Sequence, residues 1–238
     1  MLRVLCYRRQ LLLTVLLTMF IGPSEVGSVF AESLTLVSEG AGADVTITYS
    51  NPTPDYPNGF TLSGFAGVMN LQIGANPQEI GFCVDLAHFV SVGQTFSVNA
   101  YSTDSLTNGG QIAYLADTYG SQPLSNLQAA GLQIAIWSEL YDNGAGFTSG
   151  VFQYTPAENA NDPNYSTIAG FATEYLNAAQ GNSASATWYD GSPSGDGQWR
   201  GQSMVDPAVP APPSLVLFLV GLGCLGIAAR WQRRLRLA

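Results

Sequence analysis

The 238 residues carry 8 basic and 17 acidic side chains, a formal net charge of −9, and every basic residue is Arg. Arg3, Arg8 and Arg9 lie at the N-terminus and Arg230, Arg233, Arg234 and Arg236 at the C-terminus, with only Arg200 between them. So acidic a middle offers no surface for phosphate, which excludes nucleic acid as a partner.

Residues 1–31 have the make-up of a secretory signal: an Arg-bearing start, an apolar run from Leu11 to Ile21, and Val29-Phe30-Ala31 with small residues at the cleavage positions. Cys6 precedes the apolar run, so it is lost on cleavage and is no lipoprotein cysteine. One domain follows, residues 32–189, of a size that supports a single core.

The first part of this domain reads as β. Leu34–Val37, Asp44–Tyr49, Phe60–Leu62, Val68–Ile73, Ile80–Val90 and Thr95–Tyr101 alternate or are β-branched. Asn51–Asn58 holds three prolines and is expected to be a loop. A continuous strand through Ile80–Val90 would place Cys83 and Asp85 on one face and Phe82 and Val84 on the other.

Helices follow. Gln111–Tyr119 is a short one ended by Gly120. Leu127–Tyr141 is longer: Ser125 and Gln128 fit a capping box, Asp142-Asn143-Gly144 supplies a stop, and Leu132, Ile136 and Leu140 form an apolar row. Gln133 and Trp137 are spaced i, i+4 on the same side. Gln133 is thus an uncharged amide among apolar neighbours, and a buried amide needs hydrogen-bond partners. Asp162-Pro163 opens a third helix, with Ile168, Phe171, Ala172, Tyr175, Leu176 and Ala179 on one face and Gly181 at its end. Val151–Tyr154 and Ala186–Tyr189 are candidate late strands. The order predicts an α+β fold: a β-sandwich or barrel subdomain with a helical insert that carries Gln133.

Residues 190–208, rich in Gly, Ser, Asp and Pro, read as a solvated linker. Residues 209–238 are tripartite: Val209-Pro210-Ala211-Pro212-Pro213-Ser214, an apolar stretch Leu215–Ala229, and an Arg-rich tail that should stay cytoplasmic. The apolar stretch is about 15 residues against the ~20 of a full bilayer crossing. This arrangement resembles the PEP-CTERM sorting signals of Gram-negative bacteria, with Val209, Pro210 and Pro212 at the sorting motif and Ala211 where the family has Glu. The resemblance implies an exosortase-type processing enzyme, a transient stop in the inner membrane, and delivery to the cell surface or extracellular matrix.

Between these ends the exported domain holds one cysteine, Cys83, since Cys224 lies in the C-terminal apolar stretch. Exported domains usually pair their cysteines. Phe82-Cys83-Val84 and Gln133-Ile134-Ala135-Ile136-Trp137 together resemble the paired motifs of the thioester domains of surface adhesins, from about Gly81 to Leu140. That family often has Thr before the Gln, where this chain has Leu132. The resemblance implies an internal thioester between Cys83 and Gln133, with Phe82, Asp85, Ala135, Trp137 and Glu139 as the surrounding shell. It implies no catalytic residue and no cofactor. Lysine is absent, so the Lys–Asn isopeptide links of companion adhesin domains are ruled out.

A carboxamide is a poor electrophile, so joining it to a thiol needs enforced proximity and a donor at the amide oxygen. The product is an acyl donor. An amine or hydroxyl on a surface protein or polysaccharide would take the Gln133 acyl group and free the Cys83 thiol, which is adhesion chemistry rather than turnover. The alternatives are a non-reactive matrix or biofilm protein with Cys83 a buried thiol, and a cysteine hydrolase using His88, the single histidine. A continuous strand would put His88 on the face opposite Cys83. Asp85, Glu139 and Asp142 are expected to be solvated or to cap helix ends. Asp190–Gly197 lacks EF-hand spacing, so no metal is expected.

Overall fold

The computed structural model describes residues 31–53, 56–191 and 201–207. The signal segment up to Phe30, Asp196, and the sorting motif, apolar stretch and tail beyond Pro207 lie outside the described residues.

The fold is α+β. Seven antiparallel strands are β1 (Ala31–Tyr49), β2 (Phe60–Ile73), β3 (Glu79–Cys83), β4 (Thr95–Ser102), β5 (Phe152–Gln153), β6 (Thr187–Asp190) and β7 (Met204–Asp206). Three helices are α1 (Gly109–Leu115), α2 (Asn126–Asp142) and α3 (Tyr165–Ala179). Strand order is β2-β3-β7-β6-β4-β1-β5, and β1 also pairs with β2. The pairings β1–β2–β3–β7–β6–β4–β1 therefore run in a closed circuit, with β5 at an edge of β1. Closure leaves few unpaired strand edges.

Several boundaries differ from the sequence reading, each for a local reason. Ala31 already belongs to β1. The two short strands expected within 34–49 are one strand bent by register shifts between Leu36 and Ser38 and between Glu39 and Gly42. Bulges of this kind let a strand bend without ending. The two runs within 60–73 likewise join into β2. The run Ile80–Val90 is a strand only to Cys83, so its alternation does not extend to Asp85 or His88. The expected linker contains β7, which lies between β3 and β6 and is buried throughout. The first helix ends at Leu115 and passes into a π-helical turn, Ala116–Gly120.

α2 is the central element. Ser125 accepts from the Gln128 amide while the Gln128 side chain accepts from the Ser125 amide, so the capping box is formed. Asn143, left-handed at φ 54°, ends the helix, and the Gly144 N–H reaches the Ser138 carbonyl. Every residue from Ala129 to Glu139 is buried. The helix is thus covered on all sides, not amphipathic, and it packs on β1, β2, β3 and α3.

At the crossing with α3 the backbones approach closely at Gly131. A Cβ there would sit 2.6 Å from Phe171 Cβ and 3.0 Å from the Ile168 carbonyl oxygen. Gly131→Ala should therefore destabilise the fold by about 1–3 kcal/mol through overpacking, against the ~1 kcal/mol that alanine normally adds in a helix. Urea unfolding midpoints measure the outcome.

The join between β3 and β7 carries a titratable pair. Asp206 of β7 is buried beside Glu79 of β3, and both line a cavity of about 570 Å³ with Tyr189. Burial, then a hydrogen bond that the protonated Asp206 donates to Glu79, then the Glu79 charge, push the Asp206 carboxyl up to about 8. In the unfolded chain the same group titrates near ~3.9. Between these values unfolding releases a proton, so stability should fall as pH rises from about 4 to about 8 and then level off. Asp206→Asn should flatten that slope in unfolding curves taken across the range.

Candidate functional site

Cys83 ends β3 and Gln133 sits midway along α2. They are 50 residues apart in sequence and both fully enclosed. β7 pairs with Cys83 through Met204 on one side of β3, and the Val84 N–H bonds the Ser203 carbonyl there. Backbone groups alternate along a strand, so the N–H and C=O of Cys83 face the other side, where pairing with β2 reaches only as far as Gly81.

The Gln133 carboxamide takes that place. Its Oε1 accepts from the Cys83 N–H at 2.9 Å, and its Nε2 donates to the Cys83 carbonyl at 2.8 Å. One side chain thus extends the ladder where β2 has ended. Both buried backbone groups and both ends of the amide are satisfied.

The Cys83 sulfur points to the turn that follows. Its thiol donates to the Asp85 carbonyl at 3.0 Å, and the Asp85 N–H approaches it at 3.4 Å. Burial pushes the thiol up to about 12. The hydrogen bond with the Asp85 backbone pulls the other way, the Asp85 charge adds to the rise, and Trp137 and Gln202 offset part of it. At neutral pH the group is therefore held as the thiol.

Trp137 is one helical turn from Gln133. Its indole N–H is buried and has no partner within hydrogen-bond distance, yet it faces the sulfur closely enough to favour negative charge there. Gln202 donates from Nε2 to the Asp85 carbonyl at 2.9 Å, the same oxygen that accepts the thiol. Sequence reading missed Gln202 because it falls in the Gly- and Ser-rich segment. Tyr141 was missed as well. Its hydroxyl accepts from the Leu86 N–H at 2.8 Å and fixes the turn after Cys83.

The remaining expected residues are placed as follows. Phe82 is buried against the Gly120 turn and Ala135 is buried in α2. Asp85 orients the thiol through its backbone, while its carboxylate accepts from the Ala87 N–H and meets His88 Nδ1 at 2.6 Å. Glu139 is buried near the end of α2. Asn108 donates to its carboxylate at 3.1 Å, which ties the end of α2 to the start of α1, and burial raises its pKa. Asp142 accepts from the Val151 and Phe152 N–H groups and anchors β5. Among the described residues no cluster of three or more His, Cys, Asp or Glu is arranged to hold a metal, and no helix is long and apolar enough to cross a membrane.

Beside the site lies a cavity of about 340 Å³ between the β1–β2 hairpin and residues 86–90, with Trp137 and Gln202 among its lining. The chain matches no family model, no curated protein and no solved structure, so function must be read from this geometry.

Proposed function

We propose that Cys83 and Gln133 join as an internal thioester, and that the exported protein uses it to attach covalently to an amine- or hydroxyl-bearing surface protein or polysaccharide. The observation that carries this reading is the Cys83 N–H held on Gln133 Oε1 at 2.9 Å. It places a donor on the oxygen that gains charge when a thiol attacks the carboxamide carbon.

The step balances. The C–S bond forms, the C–N bond breaks, and the thiol proton leaves with the amide nitrogen as ammonia. Departure of ammonia removes the donor on the Cys83 carbonyl, while the bond from the Cys83 N–H to the acyl oxygen persists. Opening by an amine forms an amide on Gln133 and returns the proton to Cys83 Sγ. Trp137 and Gln202 favour charge on that sulfur in both directions. Each molecule acts once, so this is not enzymatic turnover.

In this reading the strand circuit is a barrel subdomain. Residues 103–186 are the helical insert between β4 and β6 that brings Gln133 to Cys83. Signal removal, a stop in the inner membrane and exosortase-type processing at the Pro210-Ala211-Pro212 motif would deliver the domain to the surface or matrix.

One observation favours a second reading. Both Gln133 bonds go to the Cys83 backbone, and the sulfur is already satisfied by Asp85. In a non-reactive matrix protein Gln133 would simply complete the sheet. A cysteine hydrolase is less supported, because a hydrolytic thiol is held low by an imidazolium and this one is held high by burial. Thiol titration of the folded chain separates the first two. The thioester reading expects no thiol at position 83 until methylamine is added; a thiol that titrates once the chain is denatured without any nucleophile supports the matrix protein.

A further inference from the structure

The 340 Å³ cavity beside the site is walled mainly by apolar side chains, among them Leu36, Val45, Ile47, Leu62 and Met69. A cavity of roughly 150 Å³ suffices for a benzene ring, so this one has room for an aryl or branched alkyl group and a short linker. At its mouth stand Tyr56 and Phe89, exposed large aromatics. Each packs edge-on against Phe60, at ring-centre distances of 5.0 and 5.7 Å. Such a rim leaves apolar surface in water where a partner's apolar group would cover it. Glu39 is the one charged residue among those lining the cavity.

Two side chains stand between the cavity and the site. Trp137 and Gln202 line it, and the same two face the Cys83 sulfur. The Trp137 indole N–H is buried without a hydrogen-bond partner. A group seated in the cavity thus lies against the pair that separates it from the acyl carbon.

We propose that this cavity is the antechamber of the Cys83–Gln133 acyl group, and that it selects primary amines carrying an apolar arm over small or anionic amines. The inference rests on the thioester reading and adds the substrate class. The arm occupies the space between β1, β2 and residues 86–90. The lone carboxylate of Glu39 disfavours an anionic arm and tolerates a cationic nitrogen. Displacement of Trp137 or Gln202 admits the amine. Its nitrogen then bonds the Gln133 acyl carbon, the C–S bond breaks, and the proton passes to Cys83 Sγ.

The test is a rate comparison on the full chain by intact mass. 2-Phenylethylamine, methylamine and 4-(aminomethyl)benzoate are supplied at equal free-base concentration, each rate divided by that with a simple thioester. Burying the ring should make 2-phenylethylamine faster than methylamine by about tenfold or more, with the benzoate slower than both. Phe89→Ala, which opens the mouth, should narrow the ratio of the 2-phenylethylamine rate to the methylamine rate. Gly64→Leu should do the same by filling the cavity: Gly64 lines it, and a Cβ there meets only Leu62 Cδ1 at 3.5 Å. As a second readout, Cys83→Ala cannot transfer an acyl group, yet 2-phenylethylamine should shift its Trp137 indole N–H resonance saturably. Equal corrected rates for the two neutral-armed amines, a ratio untouched by both variants, or no saturable shift would overturn the antechamber. No adduct with any amine, with the saturable shift intact, would overturn the thioester reading and the antechamber role with it, leaving a cavity that only binds.

Discussion

Gln133→Ala should unfold in denaturant well before Cys83→Ala, by a margin of about 2–6 kcal/mol. Neither variant can form the proposed thioester, so any contribution of that cross-link over 50 residues is absent from both. They differ in what stays buried. Cys83→Ala keeps the Gln133 amide and its two bonds to the backbone at position 83. It loses only the thiol, and the Asp85 carbonyl still has the Gln202 amide. Gln133→Ala removes a donor and an acceptor at once, leaving the Cys83 N–H and C=O without partners in a fully enclosed site. Each orphaned group costs about 1–3 kcal/mol, before counting the cavity left by the side chain. Gln133→Glu should fall between, because a carboxylate accepts from the N–H but offers nothing to the carbonyl. Urea or guanidinium midpoints at fixed pH decide the order. Equal midpoints for the two alanine variants would mean that the amide is not holding the end of β3.

Either substitution should also abolish reactivity outright. Without the sulfur there is no leaving group, and without the Gln133 carboxamide there is no acyl carbon, so neither variant should gain a methylamine or release a thiol. Gln128 is the control. It lies in the same helix and its side chain caps the first turn. Gln128→Ala should cost about 1 kcal/mol through the lost cap and leave both the reaction and the thiol release in place. Loss of reaction in Gln128→Ala at a temperature where it stays folded would assign the chemistry to the wrong amide.

The sequence carried the parts of this site whose signals are local. Ser125, Gln128 and Asn143 mark the ends of α2 by their own side chains and backbone preference. The lone cysteine between the two apolar ends and the Gln-Ile-Ala-Ile-Trp run pointed to residues that do meet. What stayed hidden depends on distant pairing. Met204-Val205-Asp206 is three residues between Gly201 and Pro207, and only its seat between β3 and β6 makes it a strand. Gln202 was concealed with it. The apolar run after Cys83 looked like more strand, but the Asp85 carboxylate bonds the Ala87 N–H and the Tyr141 hydroxyl takes the Leu86 N–H, so the chain turns. β1 and β2 looked like four strands because bulges interrupt the alternation without interrupting the pairing. Asn108, which donates to the Glu139 carboxylate, carries no sequence signal that links it to α2.

The most direct measurement is the intact mass of the wild-type protein, purified under native conditions, before and after methylamine. The thioester account predicts a mass below that of the processed sequence by one ammonia, rising by one methylamine on treatment as a single thiol appears. A protein at its full sequence mass, unchanged by methylamine, would contradict it and leave Gln133 as the amide that completes the sheet beside an inert Cys83.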